Sequence, residues 1–369
     1  MDFDFTDDQN SLRDAVARWV EKGFGFERRH ALAKAGGATR AVYAELAELG
    51  LTGLAIAEAH GGLGFGAVEA MVVMEELGRG LVNAPYLHGA LVAPSLLSFA
   101  PAELQAAWLP KMASGEALVV LAHQERAARY RLDQVTTRAT EANGAWTVTG
   151  AKSLVPAGDE ADAFLVPAHT AQGIRIFLVE RAACQVRGYP TQDGARAAEV
   201  AFDNAPAQLV AENGLVELEG AIDVGIAAVC AEAVGLMERM TALTVEYMNT
   251  RKQFGVTLST FQALRHRIAD VKMQLELGRA MSYYATLKLG EPAEQRRRAL
   301  SQAKVQIGQS VRYVGQQCTQ LHGGIGVTDE YVSSHYFKRL TMVEMQFGDT
   351  LHHLGEVSAR MQDSAGVFA

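Results

Sequence analysis

Tyr247-Met248-Asn249-Thr250-Arg251-Lys252-Gln253-Phe254-Gly255, followed from Phe261-Gln262 by an amphipathic run to about Leu289, decides how this chain is read. Arg251 carries a fixed planar cation suited to gripping a diphosphate through two parallel hydrogen bonds. Gln253 and Phe254 beside it offer an amide and an aromatic face, and Gly255 allows a sharp turn with no side chain in the way of a ligand. A second reading of the same residues is a helix that ends at Gly255, with a basic residue offsetting its dipole. The later stretch Gln320-Leu321-His322-Gly323-Gly324-Ile325-Gly326-Val327 places three glycines within four positions behind a helical run. Such glycines expose backbone N–H groups to a phosphate, or simply turn the chain between two helices.

Working outward, the chain of 369 residues is 49% hydrophobic and 21% charged, the profile of a globular protein long enough for two or three domains. Its net charge of -8 argues against a nucleic-acid partner, and the densest basic run, Arg296-Arg297-Arg298, reads as a solvated loop or helix start. Cys184, Cys230 and Cys318 are too scattered for a disulfide framework or a metal site, which fits a reducing cytoplasm. The acidic Met-Asp-Phe-Asp-Phe start shows no signal-peptide pattern. The apolar run Leu81 to Ala100 is broken by Asn83, Pro85, His88, Gly89 and Pro94, so a buried, interrupted helical segment is expected there, not a membrane span.

Three blocks emerge, at 1–117, 118–212 and 213–369. The first is helical, with Thr6 as an N-cap before Asp7 and Asp8, a helix over 38–49 stopped by Gly50, a loop over 61–66 and a helix over 67–77. The second holds short Val-, Thr-, Ile- and Phe-rich runs at 119–122, 134–139, 145–149, 163–166, 174–179 and 199–202, spaced as in a small antiparallel sandwich or barrel. The third holds long helices at 221–250, 262–289 and 299–321, as in a bundle. Leu264, Ile268, Val271 and Leu275 mark its core face.

The two opening stretches, in this order, resemble the acyl-CoA dehydrogenase family of flavoproteins over nearly the whole chain. Further carriers are Glu45 to Leu54 with Glu58-Ala59-His60-Gly61-Gly62-Leu63-Gly64, Leu109-Pro110-Lys111 with Ser114-Gly115-Glu116, and Trp146 to Lys152. The resemblance implies a mainly α fold with a central β domain, between an N-terminal helical domain and a C-terminal four-helix bundle that also forms the oligomer core. It implies FAD held by Arg251, Phe254 and Gln262 of one subunit and by Gln320, Gly323 and Gly324 of another, with Thr350 at the flavin end. The implied reaction is α,β-dehydrogenation of an acyl-CoA thioester: a carboxylate removes the α-proton while the flavin takes a hydride from the β-carbon. Electrons would pass to an electron-transfer flavoprotein, and the assembly would be a homotetramer or a heterotetramer.

The sequence departs from that pattern. Where the family carries a Tyr-Glu-Gly-Thr run with its glutamate base, this chain reads Phe347-Gly348-Asp349-Thr350, so Gly348 or Phe347 stands at the base position. Asp349 is the nearest replacement, against a capping role. Asp223, near the minority position of the base, and Glu344 and Glu232 are weaker candidates. Gln124-Glu125-Arg126 and Leu154-Val155-Pro156 replace the family's Thr-Glu-Pro and Trp-Ile-Thr runs at the flavin ring. These losses, with Arg79-Gly80-Leu81-Val82, resemble the small subunits of bacterial heteromeric acyl-CoA dehydrogenases such as pimeloyl-CoA dehydrogenase. Alternatives are a non-catalytic structural subunit, or a same-fold oxidase or monooxygenase with Asp349 as base.

Overall fold

The computed structural model describes residues 4–362. The first block supplies helices α1 (Asp7–Gly23), α2 (Phe26–Lys34), α3 (Arg40–Glu48), α4 (Ala67–Arg79), α5 (Ala93–Leu97) and α6 (Ala102–Ala113). Strands β1 (Val119–Leu121), β2 (Arg138–Ala142), β3 (Ala145–Pro156), β4 (Ala163–Thr170), β5 (Gly173–Glu180), β6 (Cys184–Pro190) and β7 (Arg196–Ala211) follow. Then come α7 (Gly214–Thr250), the short strands β8 (Lys252–Gln253) and β9 (Val256–Thr257), α8 (Gln262–Lys288), α9 (Ala293–His322), α10 (Val332–Met345) and α11 (Thr350–Gln362). By their internal packing these residues form two compact units. A helical unit takes the chain up to Arg29, Ala67–Val82 and everything from Ile226, and a β unit takes His30–Gly66 and Asn83–Gly225. Helices of the first block are therefore shared between the two.

In the helical unit, α1 starts as expected: the Thr6 hydroxyl accepts from Gln9 N (3.2 Å) and the Gln9 side chain accepts from Thr6 N (3.0 Å), a reciprocal cap. α9 packs against α8, α10 and α11, and α4 packs against α1 and α8. α7 and α4 approach so closely that only glycine fits at the crossing. A Cβ at Gly235 would lie 2.7 Å from Arg79 N, and one at Gly78 3.1 Å from Glu232 Cα. By length and composition α7 is apolar enough to cross a membrane, yet 89% of that window is buried in the protein, as the core of a bundle requires.

In the β unit the sheet runs β1-β4-β2-β3-β7-β5, and β5 pairs back onto β4, so five strands close into a ring with β1 and β6 attached. Phe164, Val166, Phe177, Val148, Val200 and Phe202 fill its interior. The pairing is not wholly antiparallel as expected: β1 and β2 both run parallel to β4, through Val119↔Ala163 and Arg138↔His169. The strand expected over 134–139 starts only at Arg138, because Thr136 and Thr137 direct their N–H groups to the Glu125 carboxylate. β6 was not expected at all. The segment Leu81 to Ala100 is the broken, buried helical run anticipated, with a π-helical turn at Leu87–Val92 leading into α5.

Candidate functional site

α7 stops at Thr250, not at Gly255. Arg251 follows it directly, and Leu258 N donates to Arg251 O (2.9 Å) across the β8–β9 hairpin. Phe254 (φ 53°) and Gly255 (φ 83°) form its two-residue turn in the left-handed region. An aromatic residue there is backbone-strained, and it leaves the Phe254 ring 92% exposed, edge-on to Phe261. Arg251 is exposed, and among the described residues its guanidinium makes no hydrogen bond or ion pair. Gln262, the first residue of α8, is exposed as well.

At the end of α9, Gln320, Gly323 and Gly324 are all exposed, and Gly323 ends the helix with φ 65°. A Cβ at Gly323 or Gly324 would meet nothing within 4 Å, so bare backbone faces open space there. Gly326 differs: a Cβ would lie 2.8 Å from Thr319 O, so this glycine serves packing. The Tyr247 ring stands 4.7 Å from His322, and Tyr331 lies 5.2 Å from His322 and 6.3 Å from Tyr247. This stack ties the residue one helical turn before Arg251 to the residue just before Gly323. Both motifs accordingly sit at one end of one chain.

The segment expected to carry the base is organised differently. α10 ends at Met345, Phe347 has φ 57° and Gly348 φ 115°. Lys304, fully buried in α9, donates to Val343 O (3.0 Å), Glu344 O (2.8 Å) and Gly348 O (2.9 Å). Those carbonyls satisfy all three ammonium protons, while burial pulls its pKa down to about 8. Asp349 accepts from His352 N (2.8 Å) and so caps α11, the role weighed against its being a base. The Thr350 hydroxyl, expected at the flavin, donates to Glu344 Oε1 (2.7 Å), and Thr350 N donates to the same oxygen (3.1 Å). Glu232 forms a buried bidentate pair with Arg339 (2.6 and 2.8 Å). Glu344 and Glu232 are thus engaged carboxylates, and Asp223 is buried near the start of α7.

In the β unit, Glu125 turns inward. Its carboxylate accepts from Lys152 Nζ (2.8 Å), Thr137 Oγ1 (2.8 Å), Thr136 N (2.7 Å), Thr137 N (3.1 Å) and the Thr136 hydroxyl. Although burial alone would raise its pKa, these donors, Lys152 foremost, hold it down at about 2, and burial pulls Lys152 down to about 8. Leu154, in place of the family's indole, has φ 53° and stands 54% exposed at a register break in the β3–β7 ladder.

Sequence reasoning missed Lys304, His353 and the Glu125–Lys152 pair. A signal was present for Lys304, which lies on the apolar face of α9 marked by Leu300, Ile307 and Val311.

Comparison with known proteins places these features among relatives. Residues 6–116 match the family model described as acyl-CoA dehydrogenase, N-terminal domain, and residues 212–362 that described as acyl-CoA dehydrogenase, C-terminal domain. The chain is 28% identical to the mitochondrial long-chain specific acyl-CoA dehydrogenase of Sus scrofa, covering 96% of this chain and 86% of that one. It is 30% identical to L-prolyl-[peptidyl-carrier protein] dehydrogenase of Pseudomonas fluorescens, covering 77% and 80%. Among solved structures, a chain of the ChsE4-ChsE5 complex from Mycobacterium tuberculosis superposes with a TM-score of 0.88 at 26% identity, over 99% of both chains.

Proposed function

The chain belongs to the acyl-CoA dehydrogenase family, and from that membership we propose that it is the base-lacking subunit of a heteromeric, FAD-dependent acyl-CoA dehydrogenase. FAD is the family's cofactor, and the donor set fits it: an exposed guanidinium with no partner among the described residues, bare glycine backbone and two exposed amides suit a diphosphate. Arg251, Phe254 and Gln262 of one subunit and Gln320, Gly323 and Gly324 of its neighbour would hold the cofactor between them. When bound, FAD supplies hydride acceptance from the β-carbon of an acyl-CoA.

The observation that carries the heteromer reading is the absence of a usable acid at 347–349. Gly348 has no side chain, Phe347 has no titratable group and Asp349 caps a helix. Removal of an α-proton needs a positioned carboxylate near the operating pH. A homologous chain that keeps its glutamate supplies it in this reading. The complex passes electrons to an electron-transfer flavoprotein and works in the reducing cytoplasm suggested by three free cysteines. In the same reading the chain divides at 117 and 212 into an N-terminal helical domain, a middle β domain and a C-terminal helical domain.

The test is reconstitution with FAD followed by addition of straight-chain acyl-CoA thioesters. The isolated chain is expected to leave the flavin absorbance unchanged, and co-assembly with a glutamate-bearing family chain to allow bleaching. If the isolated chain bleaches its flavin and Asp349→Asn abolishes this, Asp349 is the base and the heteromer reading fails. Oxygen uptake with no electron-transfer partner would instead mark a same-fold oxidase.

A second prediction concerns the stack at the end of the bundle. Tyr247→Ala removes the ring contact with His322 that links the end of α7 to the turn after α9, without changing Arg251 or the glycines. FAD affinity is expected to fall by about tenfold, the loss of roughly one aromatic pair, and exchange of the amides at 322–327 to speed up. Unchanged exchange and affinity would show that the stack does not position the two motifs.

A further inference from the structure

Of the two positions at which the base would stand, Gly348 is the one counted back from Thr350, and its surroundings are not empty. A Cβ there would lie 2.6 Å from His352 Cδ2 and 2.6 Å from His353 Nε2, closer than real Cβ atoms come to neighbours. The backbone at φ 115° also disfavours any side chain. The His353 ring cannot swing aside cheaply. It is 3% exposed, its Nε2–H donates to Phe347 O (3.0 Å) and its Nδ1 accepts from Ser301 Oγ (3.3 Å). With burial, and with Lys304 beside it, its pKa is pushed down to about 3, which keeps the ring neutral and this hydrogen-bond pattern fixed.

The other side of the segment is held as firmly. Lys304 ties the carbonyls of Val343, Glu344 and Gly348 together from within α9, and Glu344 takes both donors of Thr350. Successive carbonyls, those of Phe347 and Gly348, are bound by groups on different helices, His353 on α11 and Lys304 on α9. A segment fixed from two helices has one geometry, and that geometry excludes a side chain at 348.

We propose that Lys304, His352 and His353 form a lock that fills the family's base position, so that this chain is closed to proton abstraction even when a glutamate is reinstated at 348. The proposal rests on the reading of the chain as the base-lacking subunit, and it goes further by making the loss structural and not a matter of one missing carboxylate. Lys304 and His353 act as positioning residues: they touch backbone, not substrate.

The test is a thermal-denaturation cycle with an activity arm. Gly348→Ala is expected to lower the Tm by roughly 5 °C, and by clearly less in a His352→Ala/His353→Ala background, where the rings the new Cβ meets are gone. Should that background fail to fold, His352→Ala alone, whose ring is only half-buried, serves for the same comparison. Gly348→Glu, assembled with the glutamate-bearing partner, is expected to leave the number of bleachable flavins per complex unchanged. An equal Tm loss in both backgrounds, no loss at all, or a Gly348→Glu complex that gains bleachable flavins overturns the lock. Bleaching by the wild-type chain alone would instead sink the base-lacking reading, so the two failures are separable.

Discussion

Glu125→Ala is expected to destabilise the protein by about 3–5 kcal/mol, because it leaves the Lys152 ammonium buried with its charge partner removed. Lys152 is 0% exposed and the pair spans 2.8 Å inside the β unit. The same carboxylate accepts the N–H groups of Thr136 and Thr137, so its removal also strands two backbone donors just before β2. Chemical denaturation of the full chain measures the effect, and a loss below about 1 kcal/mol would mean the pair is solvated in solution. Glu125→Leu with Lys152→Met removes both charges together and is expected to recover most of the loss.

The pair also fixes a pH dependence. The folded-state pKa of Glu125 is held at about 2, below its ordinary value of 4.5. Between those values the unfolded chain binds more protons than the folded one, so stability rises with pH there. The contribution is complete above about 4.5 and is lost as the pH falls towards 2. Glu125→Gln should flatten that acid limb, which a Tm series across the window reads directly.

Much of the fold was legible because its helices are long. α8 ends one residue from its expected limit and α9 ends one residue beyond its own, though α9 starts six residues earlier, at Ala293; periodicity over twenty or more residues leaves little ambiguity about the helices themselves. β6 escaped because Cys184-Gln185-Val186-Arg187-Gly188-Tyr189-Pro190 has little alternation and contains both glycine and proline; its pairing along β7 makes it a strand. The β8–β9 hairpin escaped for a different reason: a Phe-Gly turn at positive φ lacks the Asn-Gly signal that marks such loops. At the site, residues that meet solvent were readable as motifs, whereas Lys304 and His353 act through backbone carbonyls that no residue pattern records. Asp349 illustrates the limit. A lone acid beside a helix start is equally a base or a cap until the His352 N–H is seen to point at it.

Arg251→Met should weaken FAD binding by about 10- to 100-fold, the equivalent of one or two charge-assisted hydrogen bonds, while leaving the fold intact. The fold should hold because Arg251 is exposed and bonded to no other side chain among the described residues. Binding should suffer because an ammonium or a thioether cannot reproduce a planar fork on a diphosphate, so Arg251→Lys is expected to recover only part of the affinity. Gly324→Val tests the opposing wall by steric means. Its new Cβ meets nothing within 4 Å of the protein, so any loss of affinity at unchanged Tm reports space that the cofactor itself requires. Titration of flavin fluorescence at low and high salt measures both. The Arg251→Met variant should lose most of the salt dependence, since the cation that salt screens is gone, whereas Gly324→Val should keep it. If both variants bind FAD as the wild type does, the hairpin and the glycine turn share an end of the bundle for packing reasons alone, and the diphosphate is held elsewhere.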